Sequence, residues 1–114
     1  MQDISGDLLR GHLETLILSV LGQGEAHGLE ISRRLQGAGC GVLRLKEGSL
    51  YPALYRLEGA GLVEAVWEEE TGGRRGARRR IYHLTTKGTK ALAKGRQDWQ
   101  HFVRVIGSIL GVPA

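Results

Sequence analysis

Cysteine is nearly missing from this chain, and its one instance, Cys40, leaves no partner for an intramolecular disulfide. A lone thiol also cannot build a structural zinc site, and it fits a reducing compartment. His12, His27, His83 and His101 are scattered without paired ligand spacing, so no metal is expected. No apolar run reaches the roughly 18 residues that cross a bilayer. The opening MQDISGDLLRGH lacks a basic region followed by an apolar run, so no signal peptide is expected. These absences point to a cytoplasmic protein without a membrane partner. Gly37-Ala38-Gly39-Cys40-Gly41 is glycine-rich but lacks the spacing of a nucleotide-binding loop. No carboxylate pair and no positioned Cys–His pair stands out, so the expectation is no enzyme and no cofactor.

What is present is a folding balance: 41% hydrophobic and 25% charged residues over 114 positions, enough for one domain with an appended helix. So small a core gains from burying further surface in a dimer. The net charge of +4 makes an anionic partner plausible, and its distribution says more than its total.

Along the chain, Leu8, Leu9, Leu13, Leu16, Ile17, Val20 and Leu21 mark an amphipathic helix from Asp7 to Leu21. Ser5 or Asp7 is its cap, and Gly11 inside it implies a close packing contact. A second helix is expected from Gly28 to Gln36. Between Gly48 and Leu62, the residues Leu50, Ala53, Leu54 and Leu57 share a buried face, which leaves Ser49, Tyr51, Pro52, Tyr55 and Arg56 to point elsewhere. Proline is scarce, so Pro52 is informative: it is tolerated in a first turn, which puts the helix start near Glu47 to Ser49 and its stop at Gly61. Then the period changes to alternation. Leu62 to Glu68 and Arg79 to Leu84 suit paired strands around a hairpin tip. Thr85 or Thr86 caps a last helix running to about Leu110.

Two features carry the chemistry. Arg74, Arg75, Arg78, Arg79 and Arg80 crowd the hairpin tip, and guanidinium groups suit phosphate oxygens. The plainer reading is a solvated loop partly neutralised by Glu68, Glu69 and Glu70. On the central helix, Ser49, Tyr51, Tyr55 and Arg56, with Lys46 just before it, can reach DNA; Tyr51 as half-buried core and Tyr55 as surface aromatic stay open. On the last helix, Leu92, Trp99 and Ile106 are seven apart, with Phe102, Val103, Ile109 and Leu110 flanking. That apolar edge asks for a partner helix from a second chain.

These residues resemble the PadR family of bacterial transcriptional regulators over nearly the whole chain. The resemblance lies in Leu8-Leu9-Arg10-Gly11-His12-Leu13, His27-Gly28-Leu29-Glu30-Ile31, Gly48-Ser49-Leu50-Tyr51-Pro52, Gly61-Leu62-Val63 and Arg80-Ile81-Tyr82-His83-Leu84-Thr85-Thr86-Lys87-Gly88. It implies a homodimer on a palindromic operator, usually a repressor, of the short branch with a single C-terminal helix. It also implies that Trp99 is positioned to stack on a small apolar or aromatic effector between protomers, with plain dimer packing as the other reading. His12 and His27 depart from the family, which commonly has apolar or aromatic residues there, and the arginine run is denser than usual.

The expectation is therefore a mainly α fold with a small β-hairpin: a winged helix-turn-helix over 1–86 and a dimerisation helix over 87–114. Its function is sequence-specific regulation from double-stranded DNA by a repressor that is nucleoid-associated when bound. Two rivals stay open, a winged-helix protein–protein module and a small-molecule sensor without strong DNA binding.

Overall fold

The computed structural model describes residues 11–39, 41, 47–69 and 78–113. Lys46, Arg74, Arg75, Cys40 and the caps expected at Ser5 or Asp7 lie outside them. The elements in order are α1 (Leu13–Leu21), β1 (Ala26–His27), α2 (Gly28–Ala38), α3 (Glu47–Gly59), β2 (Val63–Trp67), β3 (Arg80–Leu84) and α4 (Thr86–Leu110). Three helices, a wing-like hairpin and a long terminal helix make a winged helix-turn-helix with an extension.

The α1 expectation needs correcting at Gly11. The helix begins at Leu13, and Gly11 stands before it at φ 87° with nothing within 4 Å of where a Cβ would sit. Its use is a left-handed backbone, which glycine adopts without strain, and not close packing. The helix Gly28–Ala38 runs two residues past the expected Gln36. Pro52 also sits later than expected, in the second turn of α3. The carbonyl it cannot serve is that of Gly48, an exposed residue.

Strand β1 was not expected. It is two residues long, too short for alternation to show, and it makes the hairpin a three-stranded antiparallel sheet in the order β1-β3-β2. Ala26 pairs with Tyr82 and His27 with Ile81, while Ala65 faces Tyr82 from the other side. This ties the loop before α2 to the wing.

The core joins Ile17, Leu18, Val20 and Leu21 of α1 to Ile31 and Leu35 of α2 and to Leu50, Ala53, Leu54 and Leu57 of α3. Val63 and Tyr82 close it from the sheet. Leu92 closes it from α4 at 5% exposure, which corrects its assignment to the dimer face. Heptad spacing put it there, but the first turns of α4 lie against α1, so Leu92 is used up inside the protomer.

That placement is held by a clip. The Thr85 hydroxyl accepts the Gly88 N–H (3.0 Å) and donates to the Gly61 carbonyl (2.7 Å). Lys87 donates to the Ala60 carbonyl (2.8 Å), and the Thr85 N–H reaches the Leu62 carbonyl (3.2 Å). Gly61, at φ 75°, ends α3 and lets Leu62 donate back to the Leu57 carbonyl. The end of α3 thus dictates where α4 starts.

Candidate nucleic-acid interface

With its apolar face buried, α3 turns Gly48, Pro52, Tyr55 and Gly59 outward, and Tyr55 is 79% exposed. Ser49 and Arg56 lie on one flank of this crest and Tyr51 on the other. Arg56 is tied across to α1, its Nε 2.8 Å from Glu14 Oε1. Exposed pairs of this kind are worth at most ~1 kcal/mol, so a phosphate can compete for the guanidinium. Tyr51 leans over the start of α2. A Cβ on Gly28 would lie 2.7 Å from both its hydroxyl and Cε1, so glycine is what admits the ring.

The described wing arginines separate into three environments. Arg78 is exposed and has no partner among the described residues. Arg79 places Nη1 2.9 Å from His27 Nε2, and its backbone N–H donates to Glu68 Oε1 (3.3 Å). Arg80 turns inward, Nη2 donating to Glu58 Oε2 (2.9 Å), with its guanidinium 5.5 Å from the Trp67 ring centre and 6.0 Å from that of Tyr82. It braces β3 against α3 and is no longer a free phosphate contact. The alternation of β3 carries this signal, since Arg80 shares a face with buried Tyr82 while Arg79 takes the other.

His27 does two things that the sequence did not disclose. As N-cap of α2 its Nδ1 accepts the Glu30 N–H (3.2 Å), and its Nε2 meets Arg79. Burial, then the charge of Arg79, pushes its pKa below the ordinary 6.5, with Glu30 and Glu68 opposing and Arg33 assisting. The unfolded chain therefore takes up this proton first, and the stability tied to the neutral ring falls as pH drops below 6.5. Thermal melts of the wild type and His27→Asn should diverge on acidification. Asparagine keeps a capping oxygen but does not titrate, so the variant should lose less stability between neutral and mildly acidic pH. Equal losses would show that the ring is not what titrates.

On α4, Trp99 and Phe102 stack with ring centres 5.8 Å apart at 25°. The His12 ring meets Trp99 edge-on at 5.2 Å and 80°. Both aromatics are half exposed, Ile106, Ile109 and Leu110 are exposed along the same helix, and Val103 is partly covered. His12 supports the aromatic pair from the start of α1. Among the described residues no group of three His, Cys, Asp or Glu could hold a metal ion. None of the described helices is long and apolar enough to cross a membrane.

Comparison with known proteins agrees with this geometry. Residues 17–94 match the model of the transcriptional regulator PadR-like family. A transcriptional regulator from Clostridium thermocellum is 34% identical, with TM-score 0.81 over 92% of this chain and 96% of that one. A PadR-like transcriptional regulator from Bacillus cereus is 31% identical, with TM-score 0.75 over 92% and 97%. A transcriptional regulator of Mycobacterium tuberculosis is 33% identical over 90 residues, 79% of this chain and 78% of its own length. The family is one of transcriptional regulators and not of enzymes. A buried α3 face, a wing tied to α2 and a terminal helix seated on α1 therefore belong to a member of the PadR-like family of transcriptional regulators.

Proposed function

We propose that this chain is a homodimeric, sequence-specific repressor of the cytoplasm, which binds a palindromic operator through α3 and the wing. The observation that carries the reading is the disposition of charge around α3. Glu58, near the end of α3, is neutralised by Arg80, while Tyr55 stands clear, Arg79 lines a cleft with Tyr51, and its neighbour Arg78 is exposed. A helix of this width fits the major groove, and a wing fits the backbone or the minor groove next to it. Ser49, Tyr51, Tyr55 and Arg56 then serve α3, with Lys46 before it and Arg74 and Arg75 at the hairpin tip.

Two such heads, ~34 Å apart, meet successive major grooves. The exposed stripe of Trp99, Phe102, Ile106, Ile109 and Leu110, with Val103, supplies the contact between protomers. The chain thus divides into a DNA-binding part over 1–86 and a dimerisation helix over 87–114, except that Leu92 serves the first part. An apolar or flat aromatic effector stacking on Trp99 between protomers would bias the separation of the heads and relieve repression.

The test is binding to duplex DNA from upstream of the protein's own coding sequence, followed by anisotropy across a salt series. Affinity should fall steeply with salt, and Arg78→Ala with Arg79→Ala should flatten the slope by about two charges' worth, at ~0.9 per phosphate contact. An unchanged slope removes the wing. The absence of any salt-sensitive, sequence-dependent complex favours a protein–protein module, and quenching of Trp99 without DNA binding favours a sensor.

A further inference from the structure

A cleft of about 340 Å³ opens between the start of α2, the middle of α3 and the wing, lined by His27, Gly28, Leu29, Tyr51, Arg79, Arg80 and Tyr82. Its polar groups do not match one another. A neutral imidazole has one lone pair to offer, yet both nitrogens of His27 face donors: Nδ1 the Glu30 N–H, Nε2 the Arg79 guanidinium. Burial decides which is satisfied. The contact to Glu30 is partly buried and the contact to Arg79 exposed, and a buried donor left unmade costs more than one that can turn to water. The ring proton therefore sits on Nε2, where it meets another donor.

The same cleft receives the Tyr51 hydroxyl, which has no hydrogen-bond partner among the described residues. Arg80 Nε is buried without a partner as well. Donors converge on the cleft, and the nearest carboxylates are engaged elsewhere: Glu58 by Arg80, Glu30 by Arg34 and Glu68 by the Arg79 N–H. What is missing is an anionic acceptor.

We propose that this cleft seats one phosphodiester of the DNA backbone, held by the Arg79 guanidinium, the Nε2–H of His27 and the Tyr51 hydroxyl. The proposal rests on the DNA-binding reading above and adds the residues that register α3 against the backbone. Such a contact positions the helix and carries no sequence information itself.

The experiment has two arms on the full chain. Long-range ¹H–¹⁵N spectra above neutral pH should show His27 protonated on Nε2 before any DNA is added; protonation on Nδ1 overturns the donor mismatch and the proposal with it. Anisotropy on a mixed-sequence duplex should show Arg79→Gln lowering the salt slope by about one contact. Tyr51→Phe and Gly28→Ala, the latter because its Cβ displaces the hydroxyl, should each weaken binding about three- to ten-fold. Salt-dependent wild-type binding that these variants leave unchanged removes the cleft and spares the DNA-binding reading. No wild-type binding to this duplex or to the upstream DNA removes both.

Discussion

Gly88→Ala should destabilise the protein by ~2–3 kcal/mol, although alanine is the better helix former. The first turn of α4 lies so close to β2 that a Cβ on Gly88 would overlap the Leu62 carbonyl oxygen and stand 2.9 Å from its carbon. That carbonyl cannot yield cheaply, because it already accepts the Thr85 N–H at the start of the same helix. Overpacking against side chains typically costs ~1–3 kcal/mol, and backbone neighbours push the value to the upper end. The helix-propensity gain of up to ~1 kcal/mol offsets only part of it. For a domain of this size the melting midpoint should drop by roughly 10–20 °C. Gly37→Ala in α2 is the matched control. Nothing lies within 4 Å of its missing Cβ, so it should raise stability by ~0.5–1 kcal/mol. A Gly88→Ala protein as stable as wild type would mean that α4 is not clipped to the end of α3 as described.

The second large effect concerns assembly. Phe102→Glu combined with Ile109→Glu should convert the proposed dimer into a monomer at micromolar concentration, read by sedimentation. The two positions are seven apart on the exposed stripe, at 49% and 76% exposure, and neither belongs to the protomer core. The substitutions should therefore act on the proposed contact between copies and not on folding of the head. Unpaired carboxylates buried between two helices are strongly unfavourable. Operator affinity should fall with the dimer by about 10²–10⁴-fold, since two half-sites are then bound independently. Leu92→Ala makes the contrast: it should cost ~2–5 kcal/mol of protomer stability, because it empties part of the core. A double variant that still sediments as a dimer would place the interface elsewhere.

The identity of the elements was legible in the residues. The apolar period of 50, 53, 54 and 57 set the buried face of α3, and the change to alternation after Gly61 announced the wing. Of the two caps expected for α4, Thr85 and Thr86, Thr85 is the one used. These are local facts, because side-chain direction follows from backbone period alone. The sequence also held the contrast between Arg79 and Arg80 in the parity of β3, and there a charge run concealed it.

Other features depend on which elements meet, and no local pattern records that. Glu58 and Arg80 are 22 residues apart and pair only because β3 passes beside α3. Leu92 satisfies a heptad and a core position equally well, and the Thr85 clip decides between them by fixing where α4 begins. Gly28 is an ordinary helix start until Tyr51 lies across it, and His27 a histidine without a visible task until β1 carries it beside Arg79. The sequence by itself determined the helices, the wing and the family. The tertiary structure alone decided which charged and aromatic groups are spent inside the protomer and which remain exposed. The physical reason is that pairing between distant segments is settled by packing geometry, to which the spacing along one segment is blind.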